Sequence, residues 1–201
     1  LGAWVGRNWT MVGAPVLTTE AGESLWLANH PATAEFLPER SVDELSEVAN
    51  ERLPDDRERL LDSLDSEVAT DRLLARWAIE YMWANPGQTL TNMGSKIAAA
   101  FSGQLSPARG GWVQLGYAAF IVPLHALALI GWWRTRGRPD LAHHGHLLVC
   151  FLFAAFAMTT AVFWAHTSHK STLHMFLGVY AAFAITQRWV PRPVVPAEAR
   201  A

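Results

Sequence analysis

Three apolar runs close the sequence, and they constrain the fold more than any motif does. Residues 112–133 (WVQLGYAAFIVPLHALALIGWW) and 146–165 (HLLVCFLFAAFAMTTAVFWA) carry no formal charge, and a shorter run covers 172–189, with His174 near one end and Arg188 at the other. About 20 apolar residues cross a bilayer as a helix, so each run reads as a membrane span. Trp112, Trp132, Trp133, Trp164 and Trp189 stand at run ends, the level at which indole rings prefer the headgroups. Backbone groups in lipid have no water to bond, which makes the helix the form such runs take.

Charge sets the expected sidedness. Arg134, Arg136 and Arg138 separate the first two runs, and Arg188 and Arg192 end the third; the positive-inside rule places both clusters in the cytoplasm. The turn at 166–170 (HTSHK) and residues 1–111 then face outward. Residues 1–111 hold 16 of the 18 acids and 9 of the 16 bases. The net charge of −2 therefore averages an acidic part and an apolar, faintly basic part. No basic patch laced with aromatics points to nucleic acid. The single Cys150 lies within a run, which excludes a disulfide framework, and a thiol in lipid-facing surroundings is a poor nucleophile.

The expected fold is an all-α integral membrane protein in four parts. Residues 1–10 form the end of a truncated transmembrane helix, with Trp4 and Trp9 around Arg7. Residues 11–111 form an extracytoplasmic, mostly helical loop domain. Residues 112–189 form three transmembrane helices, and 190–201 a disordered cytoplasmic tail, since Pro and Ala without a core do not offset ordering entropy. In the loop domain, Ser41 and Glu44 have the spacing of a capping box ahead of Leu45, Val48 and Leu53, and Pro54 ends or interrupts that helix. From Asp55 one helix is expected through Leu60, Leu64, Val68, Leu73, Trp77 and Tyr81, closed by Pro86-Gly87. Residues 88–101 (QTLTNMGSKIAAAF) are too polar to span. An apolar stripe of Leu90, Met93, Ile97, Ala98 and Phe101, with Lys96 beside it, predicts an interfacial helix at the outer headgroups. Residues 17–33 (LTTEAGESLWLANHPAT) fit neither helical nor strand periodicity and are expected to form an irregular loop.

Few residues offer chemistry. His143, His144 and His146 lie at one end of the second run and His166 and His169 at the other, roughly 30 Å apart across a bilayer, so they make no joint metal site. The first cluster lacks the Cys, Asp or Glu that would complete a zinc spacing. No Gly-rich phosphate loop, nucleophile elbow or H-E-x-x-H helix occurs. What remains is a set of polar residues at the outer face: Arg7 and Asn8, the 18–34 loop, Lys96, and His169 with Lys170. Cations at headgroup depth attract phosphate.

These residues resemble the bacterial members of glycosyltransferase family 39, in the GT-C superfamily of protein O-mannosyltransferases and aminoarabinose transferases. The resemblance rests on R-N at a span end, then L-T-T-x-x-G-x-x-L-W-x-x-N-x-P-A-T; on V-x-x-D-R-L-x-x-x-x-A-I-x-Y-x-x-x-N-P at 68–86, with Lys96 and then Ser106-Pro107 following; and on H-T-S-H-K-S-T-L-H-M-F-L-G-V-Y-A-A from His166. It implies transfer of a sugar from a polyprenyl-phosphate donor to an acceptor outside the cytoplasm, at a bacterial plasma membrane. It also implies donor-phosphate contacts from Arg7, Lys96, His169 and Lys170, and a substrate loop carrying Asn8, Thr18, Thr19, Gly22, Trp26, Asn29 and Pro31. The sequence departs from the family where His169-Lys170 replaces a Tyr/Arg pair without following prolines. Nothing here matches the family's first outer loop, which bears the catalytic Asp, so no catalytic residue is expected in this portion, which alone would be inactive. No cofactor is called for; relatives can take a divalent metal, but nothing here supplies its ligands. The alternative is a non-catalytic, membrane-tethered interaction module with acidic extracytoplasmic helices. A His-based metal or haem protein of the membrane is a third possibility.

Overall fold

The computed structural model describes residues 1–37, 39–135, 143–164 and 170–186, with His143 and His144 as backbone alone. Arg136, Arg138, Arg188, Arg192, His166, His169 and the expected tail lie outside them. Every regular element among the described residues is a helix: α1 (Gly2–Val12), α2 (Ala21–Ala28), α3 (Thr33–Phe36), α4 (Val42–Glu51), α5 (Asp55–Asp62), α6 (Glu67–Ala84), α7 (Pro86–Phe101), α8 (Gly111–Thr135), α9 (His143–Val162) and α10 (Ser171–Thr186).

Helices α2 to α6 form a head around one small apolar core. Ser41 caps α4, its Oγ accepting the Glu44 N–H at 3.2 Å, and α4 inserts Leu45 and Ala49 into the core. Pro54 stands ahead of α5 and Pro86 opens α7, where a missing N–H costs nothing. Two expectations need correction. The helix expected from Asp55 onward is two helices, broken after Asp62, with Ser66 extended ahead of α6. Residues 17–33 are not an irregular loop, for they contain α2 and begin α3. Their helical period is masked because α2 is covered from several sides. Gly22, Trp26, Leu27 and Ala28 are all buried, so polar positions do not mark out one solvent face. Gly22 has a specific reason to lack a side chain: a methyl there would fall on the Asp71 carbonyl of α6.

Below the head, α8 and α10 lie side by side along a seam of small residues, Ala128, Gly131 and Thr135 facing Ala181 and Ala184. A methyl on Gly131 would strike the Tyr180 carbonyl; small residues of this kind let two backbones approach where lipid gives no hydrophobic drive. The pair is parallel. Lys170 lies over the Tyr117 ring at the head end, and Arg134 Nη1 donates to Ala184 O at 3.1 Å at the far end. Helix α9 returns between them in sequence. Its first turns meet α10 at the far end, where His146 Nδ1 and Tyr180 Oη are 2.7 Å apart, and its last residue, Val162, meets the head.

Two helices, α8 and the Gly145–Val162 part of α9, are long and apolar enough to cross a membrane; α10, with 16 residues, is apolar but shorter. Only 11% of the most apolar stretch of each long helix is buried, whereas a soluble core helix would be covered. Phe120, Leu129, Phe151 and Met158 project outward.

Helix α7 departs from the flat interfacial helix expected of it. It packs antiparallel along α9, with Lys96 at the level of Val162 and Phe101 at that of Phe153 and Phe156. The chain then turns back through 102–110 to begin α8. Gln114 holds that return segment, its side chain accepting from Leu105 N and donating to Gly103 O. The facing of α7 also differs from the expected one, although Phe101 of the expected stripe does pack on α9. Its buried residues are Thr89, Asn92, Lys96, Ala99 and Ala100, while Leu90 is 69% exposed.

Candidate functional site

The expected site residues separate into groups with different duties. On α1, Asn8 is buried and ties down the chain that follows, Nδ2 donating to Val16 O at 2.9 Å and Leu17 O at 3.2 Å. Gly13, at φ 73°, makes the reversal possible. Arg7 lies over the Trp4 ring at 5.1 Å and donates to Asn8 Oδ1 at 3.2 Å. Its side is exposed, and most of its five N–H donors are uncommitted among the described residues.

The expected substrate loop is largely structural. Thr18 Oγ1 accepts the Glu20 N–H at 3.1 Å and Thr19 Oγ1 donates to Glu67 at 3.2 Å. Gly22 N donates to Asp71 Oδ1. Trp26, one of the residues of that loop, is only 4% exposed and sits edge-on to His30 and Trp77 in the head's core. Pro31 is exposed in the turn between α2 and α3. Beside Trp26, burial, reinforced by Arg52 and opposed by Glu35, pushes His30 down to about 4. Its Nδ1 accepts the Ala32 N–H at 3.1 Å, which requires that nitrogen unprotonated.

Lys96 and Asn29 form a buried knot. Lys96 is 0% exposed. Its ammonium donates to Ala28 O at 3.2 Å, Val162 O at 3.2 Å and Asn29 Oδ1 at 3.4 Å. Ala28 and Val162 end α2 and α9, so the cation sits on carbonyls that helix termini leave unpaired, at the negative end of both dipoles. Asn29 Nδ2 completes the knot with bonds to Leu25 O and Val162 O, each 2.9 Å. Burial pushes the lysine down to about 8. All three ammonium protons are taken, so where it stands Lys96 has none for a phosphate. In this structure Lys96 is a pin joining α2, α7 and α9.

Lys170 is placed differently. It is 2% exposed, and among the described residues its oxygen acceptor is Ser102 O at 3.5 Å, with the Tyr117 ring 5.4 Å away. Burial pushes it down to about 8. Around it on the seam stand Tyr117 and His125 of α8 and His174 of α10; Lys170 lies within electrostatic reach of both histidines. The Tyr117 hydroxyl and His174 Nε2 are buried without a hydrogen-bond partner among the described residues. The head end of the seam thus gathers one cation and several donors with capacity to spare, a composition suited to an anion. His125 also lines an apolar cavity of about 480 Å³ between α8, α9, α10 and the tip of α7, with Phe101, Leu129, Phe153 and Leu177 among its walls. His125 thus belongs both to the cavity wall and to the electrostatic surroundings of Lys170 and His174.

Tyr117, His125 and His174 escaped sequence reasoning. The signal available was that ionisable residues inside an apolar run are functional candidates by default, and that 117, 121, 125 and 128 share one helical face. His169 lies outside the described residues. Among the described residues no three His, Cys, Asp or Glu side chains come together as a metal site. No family model, curated protein or solved structure matches the chain.

Proposed function

We propose that the protein is the C-terminal part of a membrane glycosyltransferase, holding a polyprenyl-phosphate-linked sugar so that the sugar passes to an acceptor outside the cytoplasm. In this reading α8, α9 and α10 are three spans of a bacterial plasma membrane, the Arg134 end cytoplasmic and the head extracytoplasmic. The single observation that carries it is the junction at His125. There, a cavity lined by apolar side chains ends on a histidine that lies within electrostatic reach of the buried Lys170. Such a junction has the two-part chemistry of a phosphate-headed isoprenoid: charge at the head end, hydrocarbon below. Lys170 would hold the phosphate as it departs and negative charge grows on it, with Tyr117 and His174 donating beside it. Exposed Arg7 is a further cation on the head side of the chain. The general base is, by the resemblance, an Asp of the enzyme's first outer loop.

A photoreactive polyprenyl phosphate tests the reading. Labelling is expected on α8 and α10 peptides and should fall about tenfold in Lys170→Gln, the loss of one charge-assisted contact. Equal labelling of wild type and Lys170→Gln refutes it. One feature favours the interaction-module reading: Trp83 is 82% exposed on α6, beside Ile79, Arg72 and Arg76, the residue types that dominate protein interfaces. A partner lost on Trp83→Ala, with no lipid labelling in wild type, would select that reading.

A further inference from the structure

Helix α6 buries Leu73, Leu74, Trp77 and Ala78 in the head. The opposite stripe, at 72, 76, 79 and 83, has the spacing of one helical face and comes to the surface. Trp83 is 82% exposed and Ile79 about half exposed, and with Arg72 and Arg76 they line a shallow groove of about 570 Å³. Neither arginine has an acidic partner among the described residues. The acids of α6 are engaged elsewhere: Glu67 accepts from Thr19, Asp71 accepts the Gly22 N–H, and Glu80 faces Arg57 at 3.9 Å. Beside this stripe lies α5, whose Arg57 sits 4.9 Å over the Trp77 ring. Its outer side is the electrical complement. Asp55, Asp56 and Asp62 are exposed without a basic partner among the described residues, near Leu60, which is about half exposed.

We propose that α5 and α6 together form a self-association surface: a second copy of this chain lays its α5 on the first copy's α6, and its α6 on the first copy's α5. An acidic and a basic stripe side by side on one surface complement themselves about a two-fold running between them, the form an isologous dimer takes. Each acidic helix then meets a pair of arginines, and Trp83, Ile79 and Leu60 supply the apolar centre. Tryptophan and arginine are the residues that carry most of the energy at such contacts. Height makes the occupant protein rather than lipid. Lys96 of α7 lies at the level where α9 ends. The ten residues from Pro86 to Lys96 carry the chain about 15 Å further out, whereas headgroups reach about 5–8 Å beyond the hydrocarbon. Trp83, just before that start, stands in water. A second copy is favoured over a different protein because both halves of the charge match lie on this chain. The proposal takes α9 as a span and does not rest on the sugar-transfer reading.

Sedimentation equilibrium of the full chain in detergent micelles, over a concentration series, tests it. Wild type should dimerise, and Trp83→Ala should raise the dissociation constant about thirtyfold, the scale of an interface hot spot. Two charge reversals form the decisive pair. Arg72→Glu/Arg76→Glu is acidic on both helices, and Asp56→Lys/Asp62→Lys is basic on both. Each alone should be monomeric, and their equimolar mixture should dimerise, since every helix then meets its opposite. Circular dichroism checks that the variants are folded. Lys170→Gln should dimerise like wild type, so a failure of the polyprenyl-phosphate reading leaves this result standing. A wild type that stays monomeric throughout the series overturns the proposal. So does a folded charge reversal that still dimerises, a mixture that does not reassociate, or a monomeric wild type that uses Trp83 to hold lipid vesicles or a foreign protein.

Discussion

Replacing Lys96 with methionine tests whether this lysine is a pin or a ligand contact. The change removes the charge and its three hydrogen bonds while keeping most of the side-chain volume. Val162 O would keep the Asn29 Nδ2 bond at 2.9 Å, but Ala28 O and Asn29 Oδ1 would lose the donor that Lys96 supplies. Each buried acceptor left unpaired costs about 1–3 kcal/mol, or about 4 kcal/mol for two. Against this, a lysine held near 8 rather than 10.5 carries about 3 kcal/mol of penalty on its charge, which methionine does not bear. The net expectation for Lys96→Met is a loss of about 1 kcal/mol. Lys96→Ala adds a cavity and should lose about 2–5 kcal/mol more. Thermal unfolding in detergent micelles, followed by tryptophan fluorescence, reads both. A double-mutant cycle with Asn29→Ala should show coupling of about 1 kcal/mol or more, because both side chains belong to one network. The reasoning fails if Lys96→Ala unfolds like wild type, or if Lys96→Met is fully stable yet loses lipid-phosphate labelling.

Three further outcomes follow from the packing and charge. His30, depressed to about 4 by burial, is neutral in the fold but takes a proton near 6.5 once unfolded. Its contribution is therefore present above about 6.5 and lost as pH falls toward 4, by about 3 kcal/mol at most; His30→Phe should flatten that part of the stability profile, and an unchanged profile would exclude the residue. Gly131→Ala should cost about 1–3 kcal/mol by pushing α8 off the Tyr180 carbonyl, read as a lower unfolding temperature, whereas Gly94→Ala, with open space around it, should be neutral or stabilising. In a Cys150→Ser background, Glu47→Cys on exposed α4 should react with an impermeant thiol reagent in intact cells; reaction only after permeabilisation would reverse the proposed sidedness.

Folding α7 alongside α9 has a consequence for the site. The return segment 102–110 brings Ser102 down to Lys170 and Gly103 against Val122 and Ala118. The side chains of Gln114 and Lys170 satisfy part of that segment's backbone. The lysine that faces the candidate anion site thus also steadies the loop beside it. Lys170→Arg would keep the charge but not the compact reach, which makes it a sharper probe of geometry than removal of charge.

Local chemistry was readable in the chain. Uninterrupted apolarity gave α8, α9 and α10 to within a few residues, since helix length and side-chain transfer energy depend on little beyond the segment itself. Ser41, Pro54 and Pro86 marked helix boundaries for the same reason: each acts on its own backbone. What tertiary structure alone decided is where polar side chains point. Lys96 is a solvent-seeking cation by type, yet it is sealed in because two helix ends, 66 and 68 residues away along the chain, present carbonyls to it. Trp26 has the composition of a sugar platform but fills the head's core, because Gly22 lets α2 lie against α6. The Tyr117, His125, Lys170 and His174 cluster exists only because α8 and α10 run parallel, a relation no stretch of sequence encodes by itself. Periodicity reports one face against one environment; where a helix meets several neighbours at once, as α2 and α7 do, the pattern averages out and only packing reveals its purpose.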